Sequence, residues 1–204
     1  EEHLAHIAKE FRKGLEFIKN HPKSVTIFGS SRLTVASSHY EDAERLARHI
    51  VTDLGYDVIT GGGSGIMEAA NKGAREAGGK SVGINVTLQT RQHVNEYVNE
   101  SIDFDYFFVR KMMLAFYAEA YVFFPGGYGT LDELFEILTL IQTGKTEKVP
   151  VILFGKDFWS PMKDFLTTEI LNKHHAIDPK DLDIFVITNS VEETIKLIKE
   201  APVI

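Results

Sequence analysis

The amino-acid sequence predicts an α/β fold in three layers, with a parallel sheet of about seven strands between two layers of helices. Three observations lead there. Short apolar runs alternate with amphipathic, helix-period stretches along the whole chain. Most of these runs are continuously apolar, the pattern of strands covered on both faces. Glycine-rich turns follow three of the runs, at the carboxyl ends of the predicted strands.

The elements follow in order. Residues 4–19 have helical periodicity and stop at His21-Pro22; residues 1–22 are read as an N-terminal helical extension. Residues 24–28 form a strand that runs into Gly29-Ser30-Ser31-Arg32. Residues 40–54 are helical, with Gly55 placed to cap the C-terminus. Residues 56–60 form a strand ending in Gly61-Gly62-Gly63-Ser64-Gly65, and residues 66–77 a helix that stops at Gly78-Gly79. A strand at 81–86 precedes a polar stretch, 87–102, read as loop with some helix. Residues 106–109 read as a short strand and 110–119 as a helix. The apolar run 120–124 is a buried strand that opens through Pro125-Gly126-Gly127-Tyr128-Gly129-Thr130 into a helix at 131–142. Strands at 150–154 and 184–188 alternate with helices at 158–172 and 191–200. No linker, repeat or low-complexity segment interrupts the pattern, so residues 1–204 are read as a single domain.

Composition narrows the function. The chain has 204 residues, 44% of them hydrophobic and 25% charged, enough for a sizeable core. It contains no cysteine, which excludes disulfides, thiolate nucleophiles and cysteine-bound metals. A net charge of −7 argues against bulk nucleic-acid binding. No apolar run is long enough to span a bilayer, and the charged N-terminus lacks the pattern of a secretory signal. A cytoplasmic location is the expectation.

Several motifs fail on spacing. A dinucleotide fingerprint counted from Gly61 or from Gly63 needs a glycine where Ile66 or Glu68 stands, which disfavours hydride transfer. Gly144-Lys145-Thr146 resembles the end of a P-loop, but Thr139 occupies the required first glycine position and the triplet follows a helix. His174 and His175 are adjacent and diverge, and Asp103 and Asp105 read as a surface pair. No metal site is expected.

Three features remain. Gly126, Gly127, Gly129 and Thr130 sit at a strand-to-helix junction, where bare backbone N–H groups and the helix N-terminus can seat a phosphate. The Thr130 hydroxyl suits an N-cap, a phosphate ligand, or both. Glu133 projects from the first turn of that helix, with Glu136 one turn further. First-turn acids also serve simply to complement the helix dipole. Arg110 and Lys111 are read at a helix N-terminus, where cations oppose the dipole unless a substrate or an acid compensates. A solvated surface pair is the plainer alternative. Arg32, in the first glycine-rich turn, is a further phosphate candidate.

The run Pro125-Gly126-Gly127-Tyr128-Gly129-Thr130-Leu131-Asp132-Glu133 resembles the P-G-G-x-G-T-x-x-E signature of the LONELY GUY family, phosphoribohydrolases that activate cytokinins and were long labelled lysine decarboxylases. Gly61-Gly62-Gly63-Ser64-Gly65-Ile66-Met67 is similar to the family's second glycine-rich motif, and Arg110-Lys111 to its Arg-Lys pair. The resemblance implies a Rossmann-like, doubly wound sheet and hydrolysis of a nucleoside 5′-monophosphate to a free base and ribose 5-phosphate. It implies that Arg110 and Glu133 are the catalytic pair, and that Gly126, Gly127, Gly129 and Thr130 bind the 5′-phosphate with Ser30 and Arg32. Met67, Lys111, Gly62 and Gly63 are expected near the base or ribose. No cofactor is expected, and a homodimer is. One departure stands out: plant-type members carry His-Glu before the Arg-Lys pair, where this chain has Phe108-Val109. This bears on base preference more than on reaction type, and an acid from residues 89–100 is a candidate substitute.

N-glycoside cleavage develops positive charge on the sugar, which a carboxylate such as Glu133 can offset, or Glu133 can activate water. Arg110 would stabilise the leaving base electrostatically, since its pKa is too high for proton donation. The expected function is therefore a nucleoside 5′-monophosphate N-glycosidase releasing adenine or an N6-substituted adenine. The alternative is a non-catalytic nucleotide-binding or sensory module on the same fold.

Overall fold

The computed structural model describes residues 1–87, 94–115 and 118–201. Seven strands form one parallel sheet: β1 (Ser24–Phe28), β2 (Asp57–Thr60), β3 (Ser81–Val86), β4 (Glu100–Phe104), β5 (Ala118–Phe123), β6 (Val151–Phe154) and β7 (Phe185–Thr188). Their order is β4-β3-β2-β1-β5-β6-β7. The chain winds outward from β1 to β4, crosses back to β5, and winds outward the other way.

Among the described residues, seven α-helices cover the two faces: α1 (Glu2–Ile18), α2 (Ser38–His49), α3 (Ile66–Glu76), α4 (Phe107–Ala115), α5 (Tyr128–Gln142), α6 (Lys156–Phe165) and α7 (Val191–Lys199). Successive residues of a strand point to opposite faces, and the core divides accordingly. Ile59, Tyr121, Phe123, Val151 and Leu153 pack with Ile18 of α1, Met113 of α4, Leu134 of α5 and Trp159 of α6. Val58, Val122, Ile152 and Phe154 pack with Leu46 of α2, Ala70 of α3 and Ile198 of α7. Central strands are covered on both faces, and β1, β3 and β5 are buried at every position, the polar Ser24, Thr26, Ser81, Asn85 and Glu119 included.

Between residues 100 and 119 the elements depart from expectation. Residues 106–109 do not form a strand; Phe107 to Val109 begin α4, with Phe107 and Phe108 half exposed. The strand lies earlier, at Glu100–Phe104, inside the stretch expected to be loop. It is an edge strand with alternating burial, so it reads as polar when averaged. The helix then ends at Ala115, and Ala118 and Glu119 belong to β5.

Two polar contacts tie elements together. His21, fully buried at the end of α1, places Nδ1 2.7 Å from Asp57 Oδ2 and Nε2 3.5 Å from Glu100 Oε2. Trp159 donates its Nε1–H to the carbonyls of Phe123 and Phe154, each at 3.1 Å, and so closes the carboxyl ends of β5 and β6 from below.

Candidate active site

The direction of winding reverses between β1 and β5, and ligands of open α/β sheets bind at the carboxyl side of such a switch point. Three glycine-rich turns meet there, and Ser30 stitches them together. Its N–H donates to Pro125 O at 3.0 Å, while its carbonyl accepts from Ile66 N at 3.1 Å. Two glycines make this closeness feasible. A Cβ on Gly29 would lie 2.6 Å from Ile66 Cγ2, and Gly65 adopts φ +71° against the backbone of Ser30 and Ser31.

The turns border a cleft of about 970 Å³. Ser30, Arg32, Gly61, Met67, Arg110, Gly126, Gly127, Gly129, Thr130 and Glu133 all line it, so ten residues of one open space come from four separate stretches of sequence. α5 begins at Tyr128, earlier than expected, and Gly127 holds the N-cap position with no side-chain cap bond. Thr130 is therefore inside the first turn and is not the N-cap. Its N–H and that of Leu131 both reach Gly127 O at 3.0 Å. The first N–H groups of a helix lack intrahelical acceptors and can receive an anion, and here the residues that begin α5 border the cleft. Ser30 Oγ accepts from Arg32 N at 3.1 Å, which shapes the opposite turn.

Arg110 and Glu133 face this cleft from α4 and α5. The Arg110 Nε–H donates to Ile84 O at 2.9 Å, and its guanidinium lies 5.5 Å from the centroid of the Phe107 ring. Burial lowers its pKa from the ordinary arginine value, and the charge of Glu133 opposes that shift. Glu133 is only 5% exposed, and its Oε2 has no hydrogen-bond partner among the described residues. Burial pushes its carboxyl up to about 7, against the pull of Lys111 and Arg110. A desolvated acid with an unsatisfied oxygen, in one cleft with an arginine and a helix N-terminus, marks this cleft as the candidate functional site.

Lys111, Gly62 and Gly63 are placed elsewhere. The Lys111 ammonium lies 2.6 Å from Asp132 Oδ2 and 2.7 Å from Glu136 Oε2, outside the cleft lining. The carbonyls of Gly62 and Gly63 accept from Asn95 Nδ2 at 3.1 and 2.9 Å, and so build the turn instead of lining the cleft. Of the stretch considered for a substitute acid, residues 89–93 lie outside the described residues.

The comparisons with known proteins bear on this site. The pattern of a family described as "Possible lysine decarboxylase" matches residues 67–198. The cytokinin riboside 5′-monophosphate phosphoribohydrolase LOG5 of Arabidopsis thaliana is 30% identical over 185 residues, 89% of this chain and 79% of that protein. The chain belongs to the LONELY GUY (LOG) family. Another relative of this LOG chain, the Arabidopsis phosphoribohydrolase LOG3, is 29% identical over 191 residues, 92% of this chain and 87% of that protein. Among solved structures, a structural-genomics protein designated TM1055 superposes with a TM-score of 0.66 at 27% identity, covering 87% of this chain and 99% of its own. The molybdenum cofactor carrier protein of Chlamydomonas reinhardtii, at 23% identity and TM-score 0.65 over 87% of this chain and 96% of its own, shares the fold.

The decarboxylase wording of the family description implies pyridoxal phosphate, which needs a lysine amine for its Schiff base. No lysine lines the cleft among the described residues, and Lys111 is held by two carboxylates. The residues of this LOG cleft do not fit that cofactor.

Reading the sequence alone missed the apolar walls, Phe107, Leu114, Leu131 and Phe158 among them. Leu114 and Leu131 are indistinguishable in sequence from core positions of an amphipathic helix. For Phe107 the only signal available was its spacing, three residues before Arg110, which puts the two on one face once both lie in α4.

Proposed function

We propose that this LOG-family chain is a phosphoribohydrolase of nucleoside 5′-monophosphates that releases a free base, adenine or an N6-substituted adenine, and ribose 5-phosphate. The observation that carries the proposal is the placement of Glu133 and Arg110 in one cleft with the glycine seat of α5. The naming of its relatives as phosphoribohydrolases supports it.

The seat holds the 5′-phosphate, and that remote grip fixes the sugar over Glu133. The C1′–N bond breaks and its electron pair leaves with the base, where Arg110 stabilises the developing negative charge. Positive charge grows on the sugar beside the Glu133 carboxylate. Water oxygen bonds to C1′ and yields its proton to Glu133, and a proton returns through solvent to the released base. With its carboxyl at about 7, Glu133 has the basicity this role needs near neutral pH. Met67, Phe107 and Leu114 give the cleft the apolar walls that a purine ring requires.

The test is a panel of nucleoside monophosphates, including AMP and an N6-prenylated AMP, with chromatographic detection of free base. The Glu133→Gln protein is expected to release base roughly 10²–10⁴-fold more slowly while still binding AMP. A wild type that binds AMP and liberates no base from any nucleotide would instead be a non-catalytic nucleotide-binding module.

A further inference from the structure

Arg110 and Lys111 are neighbours on α4, yet their side chains part. Arg110 enters the cleft, while Lys111 lies between two acids of α5, 2.6 Å from Asp132 Oδ2 and 2.7 Å from Glu136 Oε2. Those acids bracket Glu133, one residue before it and three after, so three carboxylates share one turn of helix. Like charges at this spacing repel. The lysine side chain is itself only 17% exposed, so its charge is poorly screened by water.

We infer that Lys111 is a positioning residue for Glu133: its ammonium, held between Asp132 and Glu136, offsets one of the two negative charges that flank Glu133 and so eases the ionisation of that carboxyl. The inference rests on the proposed role of Glu133 and assigns Lys111 no contact with substrate. Four charged groups face Glu133, Arg110 and Lys111 from α4 and Asp132 and Glu136 from α5. Of the two cations, Lys111 exerts the larger pull toward the ionised form. Burial disfavours the charge of Lys111, but its bonds to Asp132 and Glu136 outweigh that and raise its own pKa, so it stays protonated wherever the site works.

Replacing Lys111 by methionine removes this charge and leaves Asp132 and Glu136 uncompensated, and both effects push the Glu133 carboxyl upward. The carboxylate is the working form, so activity falls as pH drops through its pKa. The acid limb of the pH–rate profile therefore moves to higher pH in Lys111→Met, by about one unit, which is about tenfold in rate on the limb. The rate recovers on the alkaline side, and Lys111→Arg, which keeps the charge, holds the limb near wild type.

The experiment has two arms. The first follows the side-chain carboxyl of Glu133 by carbon-13 NMR during pH titration, its signal identified by its loss in Glu133→Gln. Its midpoint is expected to rise in Lys111→Met and to fall in a protein that keeps Lys111 but carries Asp132→Asn and Glu136→Gln. The second arm records nucleotide hydrolysis against pH for the same proteins. An unmoved NMR midpoint overturns the inference. So does a rate loss in Lys111→Met that is equal at every pH, which would place Lys111 on the substrate. A wild type that hydrolyses no nucleotide sinks the proposed function alone, and the NMR arm then still decides whether Lys111 sets the charge of Glu133. Should Lys111→Met not fold, the Asp132 and Glu136 substitutions carry the test with the opposite sign.

Discussion

A carboxyl group buried without a hydrogen-bond partner resists ionisation, and for Glu133 that resistance is also a statement about stability. Between the ordinary value of 4.5 and about 7, the folded chain keeps a proton on Glu133 that the unfolded chain has released. Stability from this group therefore falls as pH rises through that window, by up to about 3 kcal/mol. Glu133→Gln has no proton to lose. It is expected to match wild type in urea unfolding near pH 4.5 and to exceed it by that order at pH 8. An equal difference at both pH values would mean that Glu133 ionises freely in the folded chain. Glu133 was legible in the sequence because it closely follows the turn of Gly126, Gly127 and Gly129, but it is not in the first turn as expected: α5 starts at Tyr128, which makes Glu133 its sixth residue. The direction of Lys111 was not legible. Adjacent helical residues point about 100° apart, and nothing in the Arg110-Lys111 pair tells which of the two turns inward.

At the scale of elements, the site depends on turns that approach too closely for a side chain. A Cβ on Gly61 would collide with the Arg110 guanidinium and come within 2.9 Å of Met67 Sδ. Both obstacles are ends of flexible side chains, so Gly61→Ala should fold. Its guanidinium would be displaced, however, and a misplacement of about 1 Å costs about 10²-fold in rate. Base release is expected to slow by that order while the melting temperature stays close to wild type; an unchanged rate would show that Arg110 is not needed where it stands. The glycine turns were readable as turns, since glycine after an apolar run has few other uses. Edge strand β4 was not, because Glu100, Ser101 and Asp103 dilute its buried Ile102 and Phe104. Nor was the start of α5 at Tyr128, since two glycines among its neighbours hid a first turn that glycine-poor helices announce.

At the scale of the molecule, the parallel sheet was legible from apolar runs such as Tyr121 to Phe124 and Val151 to Phe154, whereas the strand order, with its switch between β1 and β5, was not. Nor were contacts across long separations. His21 reads only as the end of a helix, yet it is buried between Asp57 and Glu100 and anchors α1 beneath β2 and β4. A pairing of that kind is written in the closed structure and in no local pattern. The tie that Trp159 makes under β5 and β6 belongs to the same class. It has a practical outcome, because Trp159 is the chain's one tryptophan and its indole meets the Phe158 ring edge-on, 4.7 Å between centroids. Phe158 borders the cleft. The chain thus carries a native fluorophore one ring removed from the place where a nucleotide would settle. Unlabelled protein titrated with AMP, excited at the red edge of indole absorption, is expected to show a saturable change in emission that Phe158→Leu weakens; emission indifferent to nucleotide would place the ligand elsewhere.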